Sequence, residues 1–151
     1  MEITEEASRR SQTLRIEDTE RAYSELRDLL ENRIGVDSAH EEKYYNDIEK
    51  GEIRAKIICG EGFDQHSSGE YEVFLTLNRS EGTMDLQVKG KVVTSYPNDK
   101  DWQNSLWYYA YRSLFDKFLY GSAREGYEHA VEHRVDAIMK RTRETLEAKN
   151  G

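Results

Sequence analysis

Two histidines four residues apart, with a glutamate just before the second, stand at "HAVEH", residues 129–133. This is the H-x-x-E-H pattern of the inverted zinc proteases, in which two imidazoles share a metal and the carboxylate polarises water. The surrounding residues weaken the match. His129, His133, Glu132, Glu125 and Asp136 fall opposite the apolar stripe of the helix that would carry them. Such a face reads as solvated ion pairs, so no metal or other cofactor is expected.

A second group, "FDQHSSG", places Asp64, His66, Ser67 and Ser68 side by side. An acid, a base and a hydroxyl are the types that a nucleophilic triad needs. Chain neighbours in a tight loop seldom reach triad geometry, and turns select Asp, Ser and Gly for backbone reasons. Cys59, the sole cysteine, falls on the inward side of a strand, where a thiol behaves as a small hydrophobe. "GEGF" at 60–63 has no helix after it to hold a phosphate. "KRTR" at 140–143 is basic near the end of a helix, where cations suit the helix dipole. None of these groups makes a convincing catalytic set, and none is assigned a catalytic role.

The elements that carry them follow from periodicity. Residues 1–12 are polar and are expected to form a loose arm, with one domain over 13–151. Asp18 is a candidate N-cap; Ala22, Tyr23, Leu26, Leu29, Leu30 and Ile34 recur at helical spacing, and Gly35 stops the run. Ser38 and Glu41 read as a capping box for a short second helix, striped by Tyr44, Tyr45 and Ile48 and stopped at Gly51. Period two then takes over, with Ile53, Ala55, Ile57 and Cys59, then Tyr71, Val73, Leu75 and Leu77, then Met84, Leu86, Val88 and, past Gly90, Val92. Three strands result, each with one apolar face. Gly90 is a candidate bend or bulge.

The opposite face presents Arg54, Lys56, Glu72, Asp85, Gln87, Lys89 and Lys91, with Ile58, Phe74 and Val93 as apolar exceptions. Mixed signs point to cross-strand pairing. Ser122 and Glu125 cap a last helix, striped by Tyr127, Val131, Val135, Ile138, Thr142 and Leu146. The expected fold is two-layer α+β. Helices pack on one face of a three- to four-stranded antiparallel meander, in the order α-α-β-β-β-α-α.

Between the third strand and the last helix lies "DWQNSLWYYAYRSLFDKFLYG", residues 101–121, with two tryptophans, four tyrosines and two phenylalanines. As a helix closed by Gly121 it would carry two apolar faces. One holds Trp107, Ala110, Tyr111, Leu114 and Phe118; the other holds Trp102, Leu106, Tyr109 and Tyr120. A rod apolar on nearly every side must be covered on nearly every side. The sheet covers one face. The other is left to neighbouring helices, to another subunit or to a flat ligand.

The totals narrow the classes. The 151 residues carry a net charge of −8, and residues 1–50 hold 14 acidic against 8 basic side chains. That imbalance repels a phosphate backbone, so nucleic acid is not the expected partner. A single cysteine permits no internal disulfide, and no apolar run approaches the roughly 20 residues of a membrane span, so a cytoplasmic location is expected. The order helix, three strands, helix resembles the double-stranded-RNA-binding domain. The lysine-rich helix start that family uses on RNA is replaced here by "NDKDWQN".

Two functions compete. One is a non-enzymatic interaction domain, self-associating through the aromatic helix and the long last helix. The other is a small-molecule binder or enzyme with an apolar pocket between the aromatic helix and the sheet. Trp102, Leu106, Trp107, Tyr109, Tyr111 and Tyr120 border the contact or pocket in either case.

Overall fold

A computed structural model describes residues 2–64, 66–95 and 121–150. Its frame is a five-stranded antiparallel sheet. The strands are β1 (Glu2–Arg15), β2 (Ser38–Asp47), β3 (Glu52–Gly62), β4 (Ser67–Asn78) and β5 (Thr83–Ser95), in the spatial order β1-β5-β4-β3-β2. The three strands expected from alternation form the centre of this sheet. Ile53, Ala55, Ile57 and Cys59 of β3 pair in register with Leu77, Leu75, Val73 and Tyr71 of β4. The same β4 residues oppose Met84, Leu86, Val88 and Gly90 of β5. Residues directly opposite each other point to the same face, so one apolar surface runs across all three strands.

Among the described residues, two helices cover that surface. Helix α1 spans Thr19–Asp28 and runs on through a π-helical turn at Leu29–Arg33 to Gly35, where φ is +90°. Its start is as expected, with the Asp18 carboxylate accepting from the amides of Glu20 and Arg21 at 3.1 and 3.2 Å. Ala22, Leu26, Leu29, Leu30 and Ile34 are buried beneath it. Helix α2 spans Gly121–Asn150, about 45 Å at 1.5 Å per residue. Of its expected stripe, Val131, Val135, Ile138, Thr142 and Leu146 are buried against the β1 and β5 side, and Tyr127 is half-buried.

Four expectations change. The sheet has five strands, and the described elements run β-α-β-β-β-β-α, not α-α-β-β-β-α-α. The polar N-terminus is not a loose arm but edge strand β1, paired with β5 along its length. Its inward polar groups are met by polar groups of α2, because an edge strand lies only partly under a helix. Gln12 donates to the Met139 carbonyl at 2.9 Å, and Arg10 reaches Asp136 at 3.3 Å. The short second helix is instead the other edge strand, β2. Three apolar residues make too thin a stripe to hold a helix on a core, while adjacent tyrosines suit a strand. Gly51, read as a helix stop, serves the β2–β3 turn with φ +66°.

Gly90 is the fourth. No bulge lies in β5; the register slips opposite it, between Glu6 and Ser8 of β1. The glycine is needed for close approach of α2. A Cβ there would stand 2.6 Å from Val135 Cγ2 and closer still to Val131 Cγ1.

The aromatic segment, with Trp102, Leu106, Trp107, Tyr109, Tyr111 and Tyr120, lies outside the described residues. Among those residues no helix is long and apolar enough to cross a membrane.

Candidate interaction surface

The densest polar group sits where α2 crosses the end of the β3–β4 hairpin. Glu61 of β3 accepts from the Tyr71 hydroxyl of β4 at 2.6 Å and from Arg134 Nη2 of α2 at 3.0 Å. Arg134 Nη1 also donates to the Ile34 carbonyl at the end of α1. Two turns nearer the N-terminus of α2, Tyr127 stacks on Phe63 with ring centres 4.8 Å apart, and its hydroxyl donates to Asp64.

The chemistry of this cluster is that of a clamp. Burial, followed by the hydrogen bond and charge of Glu61, pushes the Tyr71 phenol far above its ordinary value. Cys59, directly opposite Tyr71 in the sheet, is buried and pushed up to about 12, first by desolvation and then by the charge of Glu31. A thiol held protonated is a poor nucleophile. Asp64 accepts the amides of His66 and Ser67 at 2.7 and 2.8 Å, the pattern of a turn-forming aspartate. Ser67 is buried. The loop therefore uses its Asp to build the turn and to anchor Tyr127.

The remaining candidates separate. His129 and Glu132 are exposed on α2 at 3.8 Å, and among the described residues no three His, Cys, Asp or Glu side chains gather as a metal site. Arg141 of the basic run donates to the Arg33 carbonyl at 2.6 Å, and Arg143 donates to Gln12 at 3.0 Å. With Arg134, two arginines of α2 thus reach the carbonyls at the end of α1. Cations at a helix C-terminus are expected, but the helix they serve is the neighbouring one, a pairing with no local sequence signal.

The outer sheet face is a charge ladder around Phe74. Lys56 and Lys89 stand 5.2 and 5.7 Å from its ring centre. Glu72 lies between Lys56 at 3.6 Å and Lys91 at 3.2 Å. Burial raises the Glu72 carboxyl, but the hydrogen bond and charge of Lys91, with the charges of Lys56 and Lys89, outweigh it and leave it below the ordinary value. Shallow depressions flank Phe74, about 580 Å³ toward β1 and about 340 Å³ toward β2. Ile58, Phe74 and Val93 occupy three different cross-strand rows, with Ile58 diagonal to Phe74.

The edge beyond the second depression differs. Among the described residues β2 pairs only with β3, and none of them pairs with the other side of its backbone. Among the described residues, the exposed large apolar side chains are Tyr44 (46%), Tyr45 (61%) and Ile48 (78%), all on β2 or in its turn. No known family model and no curated protein matches this chain.

Proposed function

We propose that this chain is a non-enzymatic protein-interaction domain that associates with itself. The observation that carries the reading is the exposure of Tyr44, Tyr45 and Ile48 along a sheet edge that no other described strand pairs with. Tyrosine is enriched at interfaces because its ring is apolar and its tip is polar. An open edge adds a row of unpaired amides and carbonyls, which another strand can satisfy.

The residues best suited to chemistry support the same reading by their occupations. Asp64 builds a turn, Cys59 is a buried thiol, and Glu61, Tyr71 and Arg134 fasten α2 to the sheet. On the sequence alone, the aromatic segment around Trp102 and Tyr109 is proposed as a further contact surface. Sedimentation equilibrium tests the reading. A concentration-dependent dimer is expected; a strict monomer at the highest attainable concentration overturns it.

A further inference from the structure

We propose that the edge of β2 left unpaired among the described residues pairs antiparallel with the same edge of a second copy, centred between Glu42 and Lys43, joining the two sheets into one. The inference rests on the self-association reading above and gives it a surface and a register.

The register follows from a bulge. β2 and β3 slip by one residue between Glu41 and Lys43, so Glu42 is the extra residue. Before the bulge, His40 lies opposite Ile58 on the outer face, while Ala39 and Glu41 lie opposite Cys59 and Ile57 on the helix face. After it the alternation is inverted: Lys43 and Tyr45 are outer, and Tyr44 and Asn46 face the helices. The Tyr23–Tyr44 ring contact at 5.2 Å and the Arg27–Glu41 approach at 3.9 Å fit that assignment, since both partners belong to α1.

Paired residues in an antiparallel ladder must share a face. An unbulged strand meets its own copy only in registers where the two residue numbers sum to an even value. The bulge reverses this, so faces match only when the sum is odd. A sum of 85 overlaps all of Ser38–Asp47 and sets His40 against Tyr45, Glu41 against Tyr44, Ala39 against Asn46, and Glu42 against Lys43, each twice. Both Glu42–Lys43 contacts join opposite charges. A sum of 83 would set Glu41 against Glu42, and a sum of 87 shortens the overlap.

Lys43 has no ion-pair partner among the described residues, whereas Glu42 meets Lys56 at 3.5 Å. The other edge, β1, also has charges of both signs, but Arg9 is paired with Glu6 at 2.8 Å and Arg10 with Asp136 at 3.3 Å. Complementary charge fixes register and partner choice more than raw affinity, and that is the role assigned to Glu42 and Lys43.

Charge exchange tests the pairing in the full chain. Glu42→Lys and Lys43→Glu should each weaken dimerisation by about tenfold, from two like-charge pairs replacing two attractive ones. The double variant E42K/K43E should restore it, and mixing the two single variants should give a heterodimer. Arg9→Glu on β1 should leave the dimer unchanged. Amide exchange on the unmodified protein gives a second measurement, with protection in residues 38–47 rising with concentration. A dimer indifferent to every charge change, with no such protection, overturns the β2 pairing and leaves self-association through another surface. A monomer throughout overturns both.

Discussion

Arg134 of α2 grips both carboxylate oxygens of Glu61 of β3, at 3.0 and 3.3 Å, although 73 residues separate them in the chain. Tyr71 and the Ile34 carbonyl complete the arrangement, so one guanidinium ties α2, the sheet and the end of α1 together. The Glu61 side chain is 13% exposed, so a lone charge left there is poorly solvated. Arg134→Met should therefore cost about 2–4 kcal/mol in urea denaturation, less than a fully buried pair. Tyr71→Phe should cost only about 1 kcal/mol, because Glu61 keeps its cation. Equal costs would mean that the charge pairing is not what holds the helix.

Gly90 makes a second long-range prediction. Gly90→Ala puts a methyl into the space occupied by Val131 and Val135, and should cost about 1–3 kcal/mol by overpacking. Adding Val131→Ala should recover part of that loss, giving a double-mutant coupling of about 1 kcal/mol. Additive effects would place the strain elsewhere.

These contacts explain which parts of the fold could be read from the sequence. β3, β4 and β5 alternate because their inward residues are covered by helices, and α1 announces itself through Asp18 and Gly35. The two edge strands give no such signal. Strand β1 sets Arg10 and Gln12 toward the flank of α2, and β2 is exposed along nearly all its length. What makes them strands is the open backbone of β5 and β3, which is distant in sequence from β1 and invisible to periodicity. Glu61, Tyr71 and Arg134 are not legible as a cluster for the same reason. The alternation marks Tyr71 as inward, but no spacing marks Arg134 as its neighbour.

The buried Cys59 thiol sets a pH dependence. Its pKa is about 12 in the folded chain and about 9 in its absence of burial. The raised value means that the unfolded chain loses its proton first. Stability is thus fully present below about pH 9 and falls as pH rises from there toward 12. Tyr71, also raised, adds to the decline at its upper end. Denaturation midpoints should therefore fall above pH 9, more gently in Cys59→Ala than in the unmodified chain. In the native protein at neutral pH, a thiol reagent should label Cys59 only at the rate of unfolding. Immediate stoichiometric labelling would contradict the burial.

Asp18 and Ser38 share the sequence signature of a helix cap, and the structure gives them different roles. Asp18 holds two amides at the start of α1, so Asp18→Ala should cost about 1 kcal/mol in thermal or urea unfolding. Ser38 opens an exposed edge strand, with no helix behind it to cap. Ser38→Ala should then stay within about 0.5 kcal/mol of the unmodified chain, as surface changes usually do. The sequence pattern Ser38-x-x-Glu41 is the same as a true capping box, so the two outcomes separate local pattern from tertiary pairing. A Ser38→Ala loss equal to that of Asp18→Ala would restore the helix that the sequence suggested and remove the β2 edge.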